Sequence, residues 1–236
     1  MGAIFKRDFR AFFTSMTGFV FLGVFLLIMN IFFSLGNIMD SRSSVAGVFS
    51  TMMFINLFTI PLLTMRSFAE DFKQKTDQLL FTAPIRPISV VLGKFLAAFA
   101  VYALALVAAL LWVLIIAVYG APNGAEVAGN YLAMLLVGGV YISIGVFISS
   151  LTENQLIAAV SSYGVFFLLY ILDMLKNGFS SMPAWITSVL YFISITGRHD
   201  TITAGLIALD DIIFFLSAAA LFLFFCHRIL ERKRRA

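Results

Sequence analysis

The chain has 236 residues, of which 61% are hydrophobic and 12% charged, whereas soluble domains average about 45–50% apolar and about 25% charged. A soluble fold of this length cannot hide so much apolar surface, so lipid must be the solvent for most of the chain. The net charge of +4 marks no nucleic-acid partner, because the basic residues flank hydrophobic stretches. A lone cysteine, Cys226, and two distant histidines, His199 and His227, exclude an internal disulfide and make a zinc centre improbable.

From the N-terminus, Met1-Gly2 does not open a myristoylation motif, since the sixth residue is Lys6 rather than Ser or Thr. Residues 4–16 place Ile4, Phe5, Phe9, Phe12, Phe13 and Met16 at helical spacing, with Lys6, Arg7 and Arg10 on the other side. That pattern predicts a helix lying in the headgroup plane; a positively charged flank that only orients the next segment is the plainer alternative. The apolar run after Gly18 is longer than the ~7–15 residues of a signal-peptide core and is read as a retained anchor.

A helix needs about 20 largely apolar residues to cross the hydrocarbon core. Six stretches qualify, at about 17–38, 45–65, 95–118, 130–151, 156–174 and 210–227. Uncharged runs of this length must satisfy their own backbone, so they are helices; the ~10-residue alternation of a transmembrane barrel is absent. The expected fold is therefore an all-α polytopic membrane protein, one membrane domain over 1–236. With both termini inside, thirteen of the sixteen Lys and Arg residues fall on the cytoplasmic side, leaving only Arg42, Lys176 and Arg198 outside.

Between the second and third spans, residues 68–81 read as an amphipathic helix of about four turns. Phe68, Phe72, Leu79 and Leu80 form its apolar stripe against Glu70, Asp71, Lys73, Gln74, Asp77 and Gln78, and Pro84 and Pro87 stop it. Val91-Leu92-Gly93-Lys94-Phe95 is not a phosphate loop, since no glycine lies five residues before Gly93 and Phe95 stands where a hydroxyl residue should follow the lysine, and Lys94 reads as a snorkelling residue at a span entrance. Small residues four apart, Gly139/Ser143 and Gly145/Ser149, predict close packing along the fourth span. Glu153-Asn154-Gln155 is a polar turn. Beyond the fifth span, the apolar segment after Pro183 is too short to cross, Gly197-Arg198-His199-Asp200 interrupts it, and a second apolar segment leads to Asp210 and Asp211. Short apolar segments of this kind predict re-entrant or interfacial helices before a short last span.

The absences narrow the function. Ion-coupled carriers keep ionisable residues inside their spans, yet spans one to four have none in their cores; Asn30 and Asn56 are the main polar groups at depth, and Asp173 closes span five. No catalytic constellation is visible, so the chain is not expected to be an enzyme.

The stretch Pro61-Leu62-Leu63-Thr64-Met65-Arg66-Ser67-Phe68-Ala69-Glu70-Asp71 resembles the type-2 ABC transporter permeases. So do the following Lys75-Thr76, Leu79-Leu80, Thr82-Ala83-Pro84-Ile85 and Val91-Leu92-Gly93-Lys94-Phe95. The likeness is greatest to the branch of gliding-motility permeases and the nitrous-oxide-reductase maturation permease. A glycine commonly precedes the threonine in that family; here Lys75 stands before Thr76. The resemblance implies an exporter of the cell membrane, built from two permease chains, identical or homologous, and two ABC ATPase subunits. These subunits would carry the ATP and Mg, with no cofactor on this chain. It makes 68–81 the coupling helix, with Glu70, Asp71, Lys73, Thr76 and Asp77 toward the ATPase and Phe72 as anchor. The N-terminal helix would be the interfacial connecting helix, and 183–208 an external re-entrant pair. A path would run between spans two and five, for which Phe54, Phe58, Phe166 and Tyr170 are candidate linings; lipid contact or packing is the plain alternative for each. A channel or carrier working without an ATPase, and a membrane scaffold, are the competing readings.

Overall fold

The computed structural model describes residues 1–39, 46–76, 86–119, 124–178, 194–203 and 208–235. Among these, every regular element is helical, and six helices are long and apolar enough to cross a bilayer. The chain is thus an all-α, multi-pass membrane protein.

The amphipathic start folds as α1 (Gly2–Thr14), with Ile4 and Phe12 buried, Phe5 stacked on Phe9 at 5.7 Å and Phe9 edge-on to Phe13 at 5.3 Å. It packs against the long helix that begins at Pro87, so protein as well as lipid receives its apolar face. Met16 takes a left-handed backbone, φ 58°, and turns the chain into α2 (Thr17–Phe33). The end of α2 widens into a π-helical turn, Ser34–Met39. Next comes α3 (Ala46–Thr64), which runs through Pro61 without ending; neighbouring helices in a membrane tolerate the lost hydrogen bond. The short α4 (Ala69–Lys73) follows after one tight turn.

Pro87 opens α5 (Pro87–Tyr119), a position where its missing N–H costs nothing. At 33 residues this helix reaches about 50 Å, longer than the ~30 Å hydrocarbon core, and its N-terminal turns project beyond it. Then come α6 (Gly124–Ser149) and α7 (Gln155–Gly178). Two more follow, α8 (Thr196–Thr203) and α9 (Leu209–Arg235). The segment Gly197-Arg198-His199-Asp200, expected as an interruption, is helical within α8. The apolar segment expected from 184 onward lies largely outside the described residues. Arg198 pairs with Asp211 at 2.9 Å and stacks on Phe214 at 4.2 Å, so α8 covers the acidic start of the last span.

The hub of the bundle is α6. Of its apolar window, 78% is enclosed by protein, against 22% for α7 and for α9, so α6 sees neighbours where the others see lipid. Lipid tails are as apolar as leucine, so helix association there depends on close packing and interhelical hydrogen bonds. Both are present. Asn56 of α3 donates to the Tyr102 hydroxyl of α5 at 3.0 Å, and that hydroxyl donates to the Met134 carbonyl of α6 at 3.2 Å. Trp112 of α5 donates to Asn30 of α2 at 3.2 Å. The two deep asparagines are therefore interhelical ties. Close approach falls at Gly138 and Gly145, where an added Cβ would stand 2.2 Å from Tyr102 and from Thr64 respectively. The expected Gly145/Ser149 pair does face α3, but Gly139 has only ordinary contact with Phe99, at 3.5 Å. One step along a helix turns a residue by 100°, and the tight contact belongs to Gly138 instead.

Candidate coupling site

Six chain segments meet at the end of the bundle that carries most of the basic residues: α1, the start of α2, the 65–76 segment, the start of α5, the end of α6 and the end of α9. The centre of this cluster is α4. It is shorter than the expected 68–81 helix, because the helical path ends at Lys73 and Lys75 adopts φ 58°. Amphipathic spacing does not encode a left-handed residue; the signal was that Lys75 occupies a position where the resembled permeases carry glycine. Asp77 and the remainder of the expected helix lie outside the described residues. A side-chain-bearing residue gives up roughly 1–2 kcal/mol in that conformation, so Lys75→Gly is expected to stabilise by about 1 kcal/mol after glycine's entropy cost. Thermal melting of the detergent-solubilised protein should rise by about 2–4 °C. A fall would show that the lysine side chain outweighs its backbone strain.

The free N–H groups at the start of α4 need partners. Ser149 supplies them: its Oγ accepts from the N–H of Phe68 and of Ala69 at 3.0 and 3.1 Å, and donates to the Met65 carbonyl at 3.1 Å. One hydroxyl thus fastens the end of α6 to both sides of the turn before α4.

Charge completes the fastening. Lys94, 5% exposed, reaches Asp71 at 2.6 Å and Asp8 at 3.2 Å, donates to the Ser67 carbonyl, and lies over the Phe68 ring at 5.0 Å. It does not snorkel. Two carboxylates, one from α1 and one from α4, replace water around its ammonium. Arg7 bonds Asp8 at 2.7 Å and approaches Asp71 at 3.4 Å. Partial burial works against the Arg7 cation, yet Asp8 and Asp71 more than offset it and hold its pKa above the ordinary guanidinium value. Glu70 accepts two bonds from Arg66, at 2.7 and 2.8 Å, and Arg66 also donates to Thr17 of α2. A cavity of about 320 Å³ lies among these groups.

The expected coupling residues therefore divide. Asp71 and Glu70 are engaged by cations of the same chain, and Thr76 donates to Asp71 at 3.0 Å, closing the turn after α4. Phe72 is 6% exposed, stacked on Phe68 and capped by Lys233 of α9, whose ammonium is 3.6 Å from the ring. Lys73 and Lys75 face outward. Sequence reasoning missed Ser149's role here, Lys94, Asp8 and Lys233. Their separations from α4 in sequence carry no local signal.

The candidate path residues divide as well. Phe54 and Phe58 of α3 are exposed, and Phe54 meets Tyr170 at 5.2 Å. Phe58 meets Tyr163 and Phe167 at 6.2 and 5.3 Å. These rings form a single aromatic strip along the α3–α7 seam. Phe166 is not part of it: fully buried, it packs on Tyr141 of α6 at 4.7 Å.

Among the described residues, no group of His, Cys, Asp and Glu is placed to hold a metal. At this site one short helix is held by side chains from α1, α5, α6 and α9. The model of the ABC-2 family transporter proteins matches residues 37–226, and the chain belongs to that family. It is the membrane permease component of an ABC transporter. No curated protein matches it.

Proposed function

We propose that residues 1–236 form one permease domain driven by a separate ABC ATPase that docks on α4 and the segment after it. The carrying observation is the contrast within α4. Phe72 and Asp71 are locked into the bundle, while Lys73 and Lys75 stand exposed at its rim. Force applied at the rim reaches the spans through Lys94, Ser149 and Lys233 without crossing a flexible linker. The positive end is then cytoplasmic, with both termini inside, in the cell membrane. Two ATPase subunits carrying ATP and Mg would serve two permease chains, with a path along the α3–α7 seam. The direction is export, and the branch is that of the gliding-motility and nitrous-oxide-reductase maturation permeases. These finer assignments rest on resemblance and on charge placement.

The test is vanadate-sensitive ATP hydrolysis by the reconstituted complex of this chain with its co-purifying ATPase. Phe72→Asp places a charge in an apolar slot and is expected to reduce hydrolysis to that of the ATPase alone. Lys73→Glu leaves the fold intact, because the residue is exposed, and should weaken docking about tenfold if the rim is read by charge. Unchanged coupling in both variants, or solute movement by the permease with no ATPase bound, rejects the reading.

A further inference from the structure

The end of α9 carries a second feature that the coupling joint does not use. Phe147 of α6 and Phe225, Arg228, Ile229, Glu231 and Arg232 of α9 line a cavity of about 530 Å³ at the charged end of the bundle. Its floor is apolar: the Phe147 and Phe225 rings lie 6.1 Å apart, and Phe225 with its neighbour Phe224 is exposed on the lipid-facing side. Its rim is cationic. Arg228 and Arg232 are four residues apart, hence one above the other on the same helix face.

Like charges at this spacing repel each other and disfavour the helix. Glu231 relieves this only in part. Its carboxylate is shared between Arg228, at 3.4 Å, and His227, at 3.5 Å. Among the described residues no carboxylate pairs with Arg232. Two guanidinium groups and one carboxylate leave the rim one positive charge in excess. That matches a single phosphodiester anion and disfavours a zwitterionic headgroup, which brings its own cation.

Position selects the source of the anion. The uncharged part of α9 ends at Cys226, so Arg228 lies within about one turn, or ~5 Å, of the hydrocarbon edge, where headgroup phosphates sit. Basic pockets between spans at this level are suited to anionic lipid headgroups, and guanidinium forks match phosphate oxygens in pairs. We propose that this groove seats an anionic phospholipid of the leaflet at the charged end. Its phosphodiester lies between Arg228 and Arg232, and its acyl chain lies on Phe147 and Phe225. Lys233, the next residue, points instead toward Phe72 and the Ser150 carbonyl. The lipid therefore braces the same helix end that caps the coupling segment.

The experiment is native mass spectrometry and thermal melting of the purified full chain in detergent. The probes are phosphatidylglycerol, phosphatidylcholine, soluble glycerophosphoglycerol and inorganic phosphate. Phosphatidylglycerol is expected to stay bound and raise the melting temperature, with phosphatidylcholine at least about tenfold weaker and both soluble anions without effect. Arg232→Gln should weaken phosphatidylglycerol several-fold, and Arg228→Gln with Arg232→Gln should abolish the preference. Lys6→Gln, on exposed α1 outside the groove, should leave it unchanged. Should the glutamine variants not fold, Arg232→Lys retains the charge and loses the fork, and an intermediate preference supports the seat. Equal retention of the two lipids, a preference that survives the double substitution, or an equal response to inorganic phosphate overturns it. None of these readouts involves an ATPase, so they are independent of the coupling assignment.

Discussion

Lys94→Met is expected to lower the stability of the chain by about 3 kcal/mol, since removing one partner of a buried ion cluster strands the others. Methionine keeps the length and apolar character of the lysine stem, so packing over Phe68 is largely retained and charge is what changes. Asp71 loses its contact at 2.6 Å and Asp8 its contact at 3.2 Å, leaving Arg7, among the described residues, as the cation paired with both. Arg7 is already bonded to Asp8 at 2.7 Å and cannot serve Asp71 equally well. For a chain of this size the loss should appear as a fall in melting temperature of roughly 6–12 °C. Faster hydrogen exchange across 2–14 should accompany it as α1 loosens. The double variant Lys94→Met with Asp71→Leu separates the two contributions. A buried ion pair also costs desolvation, so removing both charges should restore part of the loss. A fall of less than about 2 °C in the single variant would show that the cluster is solvated and holds nothing together.

The spans were legible because one physical requirement, an uncharged run long enough to satisfy its backbone inside lipid, is written locally in the sequence. Partnership is not written locally. Lys94 looked like a snorkelling residue because Asp71 and Asp8 come beside it only after α1, α4 and α5 have folded together. Asn30 and Asn56 were visible as polar groups at depth, while Trp112 and Tyr102, which make them structural, sit on another helix.

Spacing rules identify a face more readily than a residue. Phe166 and Phe167 are consecutive, yet the first is buried against Tyr141 and the second joins the α3–α7 strip. The 68–81 pattern likewise described a stripe and not a stopping point. The stop at Lys73 follows from the left-handed Lys75, a backbone choice that apolar periodicity does not report. The region around 198–211 shows the converse. Gly197, Arg198, His199 and Asp200 read as a break by composition, but Arg198 pairs with Asp211 thirteen residues later, a partner that local composition does not reveal.

Gly145→Ala should be as damaging as the loss of Lys94, although it adds a single methyl group. The new Cβ would lie 2.2 Å from Thr64 Oγ1 and 2.8 Å from Thr64 Cβ. Rotating the threonine hydroxyl relieves the first contact but not the second, because Cβ is fixed by the α3 backbone. To regain ordinary contact, α3 and α6 must part by about 1 Å. Overpacking of this kind costs about 1–3 kcal/mol. The displacement is felt one turn on, at Ser149, whose bonds to Phe68, Ala69 and Met65 stand at 3.0–3.1 Å and cannot stretch that far and persist. Each buried N–H left unpaired adds about 1–3 kcal/mol. Melting should fall by roughly 6 °C or more, and ATPase coupling should fall with it because α4 loses its fastening to the hub. Gly139→Ala is the matched comparison: its nearest neighbour, Phe99, is at 3.5 Å, and the gain in helix propensity should leave it neutral or slightly more stable. If the two alanine variants melt alike, the α3–α6 contact is looser than 2.2 Å implies, and the tie between the hub and the coupling segment does not pass through it.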